Sequence, residues 1–287
     1  MTFAARLKAV ADEIDATLED ILSDTADLIA EPMRYAVLGG KKLRGYLVVE
    51  SCTLYGVPRS EALKAAAAIE CIHAYSLVHD DLPCMDDDEL RRGRPTVHRK
   101  WDEATAVLTG DALQTLAFHI LGTLDLPAER IVDAVLSLAV QSGKDGMVLG
   151  QARDIAAETA AEPLSLEAIT TLQAQKTGAL IEWSATAGPR LAGEDPSRLA
   201  VYAGFLGPAF QIADDILDET GNEEKAGKRL HKDAAAGKAT FVSHYGLAGA
   251  QAMARSLVAQ AIDALSLYGA QADGLRDAAR FAIEREH

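Results

Sequence analysis

The sequence predicts an all-α protein, and three observations support this prediction. Apolar residues make up 49% of the 287 residues and aromatic residues only 5%, a balance that favours helices over strands. Apolar residues recur at helical spacing along most of the chain, and no segment sustains the alternation that is typical of a strand. We therefore expect one large helical domain over residues 1–287.

The helices are predicted from apolar spacing and from helix-breaking residues. An amphipathic helix covers residues 3–29, and a glycine turn with three cations follows at 38–45. The next helix, at 61–81, is rich in alanine and contains neither glycine nor proline. Pro83 ends it, because the residue before a proline is disfavoured in the α conformation.

The second half of the chain continues the helical pattern. We expect Gly110 to interrupt the first of these later helices, and Pro208 to kink or begin the one that carries it. The predicted helices cover residues 103–121, 128–148, 165–187, the region around 210–218, and 248–287.

Composition excludes several classes of protein. The net charge of −15 disfavours binding to nucleic acid or to an anionic membrane surface. An anion site in this chain must therefore be a local cluster of lysine, arginine and bound metal. Cys52, Cys71 and Cys84 are odd in number and lack CxxC spacing, which is typical of a reducing cytosol. Without a signal-like N-terminus or an apolar run of about 18 residues, we expect a cytoplasmic protein with no stable membrane insertion.

A dense charged run lies at residues 79–95. Six acidic residues fall within the ten positions from Asp80 to Glu89, and Arg91, Arg92 and Arg94 follow at once. Carboxylates this close repel one another unless a cation compensates them, and Mg²⁺ does so through oxygen ligands. Arginines beside such carboxylates suit a phosphate or diphosphate. A solvated acidic turn beside a basic one is the alternative.

A second acidic cluster decides between these interpretations. Gln211, Asp214, Asp215 and Asp218 fall at i, i+3, i+4 and i+7, so one helical face presents an amide and three carboxylates within about 10 Å. A solvated face would intersperse basic residues, and none occurs before Lys225. Both clusters are therefore candidates for metal binding.

Other candidates remain open when each is taken alone. The loop at 38–45 suits either a ligand or plain solvent, and His73 suits either a site or a hydrogen-bonded core position. Lys176 in an apolar segment needs an anionic partner if buried, or extends to the surface. The pair His79–Asp80 also occurs in metal phosphohydrolases, but the further histidine ligands of that class show no pattern here.

With both clusters in hand, the sequence resembles the trans-polyprenyl diphosphate synthase family over its whole length, and most closely its bacterial short-chain farnesyl diphosphate synthases. The family's first motif, DDxxxxD, corresponds to Asp80–Asp86, and its second, DDxxD, to Asp214–Asp218. The pattern GGK-x-x-R lies upstream and Lys-Thr-Gly lies between the motifs. Gly45 stands where the family often has proline, and Lys42 where arginine is common.

The resemblance implies an isoprenoid synthase type I bundle around a central cavity, usually a homodimer, with the two motifs facing each other across its mouth. It implies condensation of isopentenyl diphosphate with dimethylallyl or geranyl diphosphate to (2E,6E)-farnesyl diphosphate, with three Mg²⁺ ions in the closed complex. The principal metal ligands would be Asp80, Asp86 and Asp214, with Asp81, Asp215 and Asp218 as further ligands or their neighbours. The isopentenyl diphosphate would be bound by Lys41, Arg44, His73 and Arg92. The allylic diphosphate would be bound by Arg91, Lys176, Lys228 and Lys238. The carbocation would be stabilised by Thr177 and Gln211, which form the catalytic set with Lys176.

The same resemblance implies where product length is set. Tyr75 and Ser76 are the fifth and fourth residues before Asp80, where the family plugs its hydrophobic tunnel. Helical spacing alone would put Ser76 more nearly beneath the metal site, so the role of Tyr75 rests on the resemblance. A bulky residue there implies a C15 product.

Three alternatives stay open. A geranylgeranyl diphosphate synthase would make the C20 product with the same motifs. A terpene cyclase shares the fold but normally replaces the second aspartate motif. A non-catalytic prenyl synthase subunit usually loses aspartates or lysines that this chain keeps.

Overall fold

The computed structural model describes residues 2–23, 28–158, 162–220 and 240–284. Helices dominate these ranges, accompanied by two strands of two residues each. The all-α prediction is therefore confirmed. In the described part of the chain, no helix is both long enough and apolar enough to cross a membrane.

The elements follow one another in this order. The first group is α1 (Phe3–Ile21), α2 (Ala30–Val37), α3 (Leu43–Leu54), α4 (Arg59–Asp80), β1 (Leu90–Arg91), β2 (Arg94–Pro95), α5 (Val97–Lys100) and α6 (Glu103–Gly122). The second group is α7 (Ala128–Ser142), α8 (Met147–Glu158), α9 (Leu166–Gln173), a π-helical turn (Ala174–Gly178), α10 (Ala179–Ala192), α11 (Ser197–Thr220), α12 (Phe241–Ala264), a 3-10 helix (Ser266–Ala272) and α13 (Asp273–Glu284).

The chain forms two compact units. The first comprises Met1–Val135 and Ala187–Glu194, and the second comprises Leu136–Thr186 and Asp195–His287. Each unit carries one of the two acidic clusters. The single domain expected over residues 1–287 stays a prediction.

In the first unit, α4 is the central helix and contacts α1, α3 and α6. The run from Ala65 to Ile69 is fully buried, which explains why the helix is so rich in alanine. Small side chains let the neighbouring helices approach on several sides. The predicted apolar stripe of α1 faces this core, because Ile14 and Leu18 are fully buried.

In the second unit, α11 packs against α12 and α9. Ile212 of α11 forms a buried cluster with Ile169 of α9 and Phe241 of α12. The hydroxyl of Tyr202 donates to the carbonyl oxygen of Leu275 at 2.8 Å, which fixes α13 to the same helix. These contacts make α11 a rigid support for the second acidic cluster.

Several predicted boundaries were wrong. The helix predicted over residues 128–148 ends at Ser142 and α8 begins at Met147, and between them the chain passes too close to itself at position 146 for a residue with a side chain. A side chain at Gly146 would begin 2.0 Å from the carbonyl oxygen of Gln141. The last predicted helix, 248–287, is instead α12, which begins earlier, followed by the 3-10 helix and α13.

Neither of the two expected interruptions begins or ends a helix in the structure, and the kink expected as the alternative at Pro208 stays a prediction. α6 runs continuously through Gly110 instead of breaking there, because the glycine serves a close contact described below. α11 begins at Ser197 and continues through Pro208, so this proline does not start the helix. α1 ends at Ile21 rather than near residue 29.

Gly188 supplies a test of close helix packing. A Cβ at this position of α10 would lie 2.2 Å from the carbonyl carbon and oxygen of Ser51 on α3. We expect Gly188→Ala to lower the free energy of unfolding by about 1–3 kcal/mol, as overpacking does. Gly204→Ala is the matched control, since nothing lies within 4 Å of its new methyl group. Urea denaturation should show the control unchanged or stabilised by up to about 1 kcal/mol; equal losses in both variants would contradict the packing argument.

Candidate active site

The first acidic motif forms where α4 ends. Asp80 is the last residue of the helix, and the following loop returns to it. The N–H of Asp86 donates to the carbonyl oxygen of Asp80 at 2.8 Å, and the N–H of Asp88 donates to that of Asp81 at 3.2 Å. The backbone therefore brings Asp86 back beside the helix end.

Asp81 differs from Asp80 in its burial and in its partner. Its side chain is buried, and both carboxylate oxygens accept from Arg91, with Nε at 2.9 and 3.0 Å and Nη2 at 2.6 Å. A bidentate contact of this kind fixes the direction of the guanidinium. Its assignment as a metal ligand stays a prediction, and the contact favours a position beside the metal over one on it.

The arginines after the motif are held by a short hairpin. Arg92 and Gly93 form its turn with φ angles of 52° and 71°, and tight hairpin turns need positive φ at both central residues. The hydroxyl of Tyr35 on α2 donates to the carbonyl oxygen of Pro95 at 2.7 Å. The Arg94 guanidinium lies 4.5 Å from the centre of the Tyr35 ring. These contacts tie the hairpin to α2.

A carboxylate of α1 organises the glycine loop. Asp15 accepts from the N–H of Gly39 at 3.0 Å and lies 3.2 Å from the ammonium group of Lys42, which is buried. Arg92 donates to the carbonyl oxygen of Gly39 at 3.0 Å. A Cβ at Gly40 would begin 2.6 Å from Cζ of Arg92, so only glycine lets this guanidinium lie against the loop.

A buried glutamate closes the start of α3. The N–H of Gly45 donates to Oε1 of Glu70 at 2.8 Å. The carboxylate is favourable there because the N-terminus of a helix carries partial positive charge. Proline, the residue common in the family at this position, has no N–H to make this bond. A Cβ would also begin 2.6 Å from Cδ1 of Ile14, so the departure from the family pattern fits its surroundings.

His73 lies among the cations of the first unit. Its Nε2 is 3.3 Å from Nη1 of Arg44. Burial, followed by the charges of Arg44 and Arg92, holds the pKa of His73 well below its usual range. Arg91 and Lys42 act on the ring in the same direction. The imidazole is therefore neutral near pH 7, and the surrounding cations form the local inversion of charge that an acidic protein needs to bind an anion.

A cleft opens beside these cations. Arg91, Arg92 and Arg94 line it together with apolar side chains that include Leu77 and Val78. Its guanidinium groups suit a phosphate-like anion, and its other side chains are largely apolar. Lys41, also predicted to bind a diphosphate, is exposed in the neighbouring glycine loop.

Tyr75 packs within α4 at the place predicted for the control of product length. It is buried, and its ring meets that of His79 edge to face, with 5.9 Å between ring centres. Burial raises the pKa of Tyr75 to about 12, so the phenol stays protonated. His79 in turn lies on Gly110 of α6, where a Cβ would begin 2.0 Å from Nε2. The hydroxyl of Ser76 donates to the carbonyl oxygen of His73 at 2.9 Å.

In the second unit, Lys176 lies in the π-helical turn Ala174–Gly178. A Cβ at Gly150 of α8 would begin 2.2 Å from the backbone nitrogen of Lys176, so the two backbones touch. On α11, a Cβ at Gly207 would lie 3.1 Å from the Cα of Gly178, so these two backbones also approach each other closely. Single π turns within helices are frequent at functional sites, because they redirect side chains.

Lys176 has the anionic partner that its apolar surroundings require. Its ammonium group lies 2.7 Å from Oδ2 of Asp154, which is buried on α8. The neighbouring side chains also pair, since Arg153 donates to Oε1 of Gln175 at 2.6 Å. Lys176 is thus held in place and remains partly exposed.

The acidic face of α11 divides into two kinds of carboxylate. Asp214 and Asp218 are half-buried, whereas Asp215 is buried. Asp215 Oδ1 accepts from Nε2 of Gln211 at 2.9 Å. Its other oxygen accepts from the N–H of Phe241, the first residue of α12, at 2.9 Å.

Gln211 connects this carboxylate to the π-helical turn. Its Oε1 accepts from the hydroxyl of Thr177 at 3.1 Å. The structure therefore brings together Thr177 and Gln211, the two residues that the family resemblance assigns to the carbocation. Lys228 and Lys238, also predicted to bind a diphosphate, lie outside the described residues.

The donor chemistry of both motifs fits Mg²⁺. In the ranges that the structure describes, no three histidine, cysteine, aspartate or glutamate side chains converge as a ready-made metal cage. Mg²⁺ typically uses one or two carboxylates and takes its other ligands from water and substrate phosphates. Asp80 and Asp86 in one motif, and Asp214 and Asp218 in the other, offer hard oxygen donors of this kind.

Comparison with known proteins assigns the family. The family model for polyprenyl synthetase matches residues 26–267. The chain belongs to this family. Among its polyprenyl synthetase relatives, farnesyl diphosphate synthase of Escherichia coli is 44% identical over 90% of this chain and 89% of that protein. A chloroplastic geranylgeranyl pyrophosphate synthase of Catharanthus roseus is 40% identical over 92% and 76% respectively.

Solved polyprenyl synthetase relatives support the same assignment. An FPP/GFPP synthase from Zymomonas mobilis has a TM-score of 0.90 and 46% identity, covering 98% of each chain. A geranyltransferase from Helicobacter pylori, solved in complex with magnesium and isoprenyl diphosphate, has a TM-score of 0.82 and 33% identity. It covers 99% of this chain and 97% of its own.

The sequence does not predict the roles of three carboxylates that hold neighbouring groups in place. Asp15, Glu70 and Asp154 each lie on a helix and hold a loop, a helix start or a lysine. The only available signal was an acidic residue among apolar neighbours, as for Glu70 after Ala68 and Ile69. Such a residue is seldom buried unless it is paired.

The lowered pKa of His73 predicts how stability depends on pH. The unfolded chain binds a proton at His73 near pH 6.5, whereas the folded chain does not, so its contribution is present above that pH and is lost as pH falls. We expect the loss between pH 7.5 and 5.5 to be smaller in His73→Gln, by up to about 1.4 kcal/mol per pH unit. Chemical denaturation at both pH values measures this. His119→Gln on exposed α6 surface is the control, and an equal change in both variants would contradict the prediction.

Proposed function

We propose that the protein is a Mg²⁺-dependent prenyltransferase that condenses isopentenyl diphosphate with dimethylallyl or geranyl diphosphate to give (2E,6E)-farnesyl diphosphate. The observation that carries this proposal is the cluster of cations beside the carboxylates of the first motif, in a chain of net charge −15. Farnesyl diphosphate synthases with 44% and 42% identity to this chain support the assignment.

The first step of the proposed reaction breaks the allylic C–O bond and leaves a carbocation and a diphosphate. Bound Mg²⁺ would neutralise the charge that develops on the leaving oxygen. The proposed ligands are Asp80 and Asp86 in the first motif and Asp214 in the second. The cofactor proposal includes three ions. Lys176, oriented by Asp154, would bind the leaving diphosphate and stabilise the same charge.

The second step needs a nucleophile, an oriented cation and a base. Arg44, Arg92 and neutral His73 would hold isopentenyl diphosphate so that its double bond attacks the carbocation. The oxygens of Thr177 and Gln211 would stabilise the positive charge without forming a bond to it. A proton is then lost to the departed diphosphate, so no side-chain nucleophile is required. Excluding water from the reacting atoms would prevent quenching of the cation.

Activity and metal dependence test this proposal. The purified protein, given isopentenyl and geranyl diphosphates with Mg²⁺, should form a C15 diphosphate detectable by chromatography. Asp80→Ala and Asp214→Ala should each lower kcat by a factor on the order of 10² or more, because each loses a proposed metal ligand. Full activity in both variants would refute the assignment of Asp80 and Asp214 as metal ligands. Product formation from farnesyl diphosphate alone would instead indicate a cyclase, and an inactive wild-type protein would favour a non-catalytic subunit.

Tyr75 is proposed to limit the product to C15. Its ring is buried against His79 on α4, five residues before Asp80, and a smaller side chain there would leave room for a longer product chain. Geranylgeranyl diphosphate is the alternative product, and several relatives of this chain carry that name.

We expect Tyr75→Ala to shift the main product from C15 to C20 or longer. Tyr75→Phe is the matched control, since it keeps the ring and should keep the C15 product. Chromatography of the dephosphorylated products measures both. A wild-type protein that makes only C20 or longer chains would refute the farnesyl assignment, and an unchanged product in Tyr75→Ala would refute the role of Tyr75.

We also propose that the protein forms a homodimer through α7. Val132, Leu136 and Val140 recur every fourth residue on this helix and are 54%, 60% and 54% exposed. Leu138, which faces away from this stripe, is fully buried. A continuous apolar stripe on a helix surface is typical of an interface, whereas single exposed apolar residues are ordinary. A second copy of the chain is the partner that the family resemblance implies.

Light scattering after size-exclusion chromatography tests this interface. We expect Val140→Glu to shift the protein from dimer towards monomer, because a charge would be buried without a partner. Val201→Glu is the matched control, since Val201 of α11 has the same 54% exposure. A monomeric wild-type protein, or dissociation of both variants alike, would rule out the proposed interface.

A further inference from the structure

We propose that Asp215 is a positioning residue: through Gln211, it makes the hydroxyl of Thr177 an acceptor towards the carbocation. The inference deepens the proposed prenyl transfer and rests on it. It departs from the prediction that Asp215 acts as a metal ligand. The carbocation contacts of Thr177 and Gln211 follow from the family resemblance, and the direction of their hydrogen bonds follows from this structure.

The carboxylate of Asp215 fixes the first link. It is 5% exposed, and its two oxygens accept from two N–H groups, Nε2 of Gln211 and the backbone of Phe241, each at 2.9 Å. An ionised carboxylate accepts hydrogen bonds and donates none. The NH₂ end of the Gln211 amide must therefore face Asp215, and the carbonyl end must face the other way.

The amide passes this direction to Thr177. Because Oε1 of Gln211 accepts only, the threonine hydroxyl 3.1 Å away must donate its single proton to it. The hydroxyl proton of Thr177 then points towards Gln211, so the lone pairs of the same oxygen can face a positive centre. Hydrogen bonds in such a chain polarise one another, so the charge of Asp215 also strengthens the negative character of both oxygens.

Loss of the charge would remove this direction. An asparagine at 215 can still accept from Phe241, but its own NH₂ group can donate to Gln211. The glutamine amide can then rotate and donate to Thr177, whose hydroxyl proton would turn towards the carbocation. The variant keeps the size of the side chain and the start of α12, and it reverses the dipole that the reaction requires.

Steady-state kinetics with isopentenyl and geranyl diphosphates test the proposal. We expect Asp215→Asn to lower kcat roughly 100-fold, comparable to losing one preorganised electrostatic contact. The KM for geranyl diphosphate and the Mg²⁺ concentration for half-maximal rate should stay within about 2-fold of wild type, since neither contact is lost. Asp214→Asn should raise that Mg²⁺ concentration. A matching rise in Asp215→Asn would overturn the proposal in favour of metal ligation.

A double-mutant cycle separates positioning from a structural role. In the background of Gln211→Leu, which already removes the amide link to Thr177, the further change Asp215→Asn should lower kcat by less than about 3-fold, because residues acting as one unit are non-additive. Independent, additive losses would contradict the inference. Asp195→Asn is the control for loss of a carboxylate that accepts from a helix start, since Asp195 accepts from the N–H of Ser197 at 2.9 Å, and it should leave kcat unchanged.

A second variant keeps the test decisive if Asp215→Asn does not fold. Gln211→Leu retains the contact between Asp215 and Phe241 and removes the amide link. It should lower kcat with an unchanged Mg²⁺ requirement, and a raised requirement would count against the proposal. The wild-type reaction distinguishes the two levels of failure: an inactive wild-type protein refutes prenyl transfer itself, whereas an active one with an additive cycle refutes only the role of Asp215.

Discussion

Buried carboxylates that accept from N–H groups hold the functional side chains of this protein in place. Glu70 closes the start of α3, Asp81 grips Arg91, Asp154 pairs with Lys176, and Asp215 links two helices. Each contact costs desolvation energy, because a carboxylate leaves water, but it fixes the direction of the group that it binds. Removing one partner of such a pair typically costs about 3–5 kcal/mol. An acidic protein therefore uses part of its negative charge internally, to aim the cations and amides that bind an anionic substrate.

Glycines give these anchors the space that they need. Gly40 lets Arg92 lie on the loop, Gly110 receives His79, and Gly150 brings α8 against the π-helical turn. At each site a methyl group would collide with a side chain or backbone nearby. The arrangement of the charges thus depends on close approach between elements as much as on the charges themselves.

The sequence predicts the helices and both acidic motifs because each rests on local spacing. The apolar stripe of α1, the end of α4 before Pro83 and the fold-back of Asp86 all follow from residues near one another in the chain. The partners of Lys176 and Arg92 do not, because Asp154 and Gly39 come from distant segments. The sequence alone indicates a break at Gly110 for the same reason: its contact, His79, comes close only when α4 and α6 pack together. Family resemblance supplied the roles that spacing alone left open.

The two consecutive aspartates in each motif have different surroundings, and helical geometry explains why. Neighbouring residues of a helix point about 100° apart, so one can face the solvent-accessible side while the next faces the interior. In both motifs the buried member, Asp81 or Asp215, is the second of the pair. A designer who transplanted only the three aspartates of the second motif onto another helical scaffold would move an incomplete part. The graft would also need a glutamine one turn earlier and a helix start within reach of the buried carboxylate, as Gln211 and Phe241 provide here.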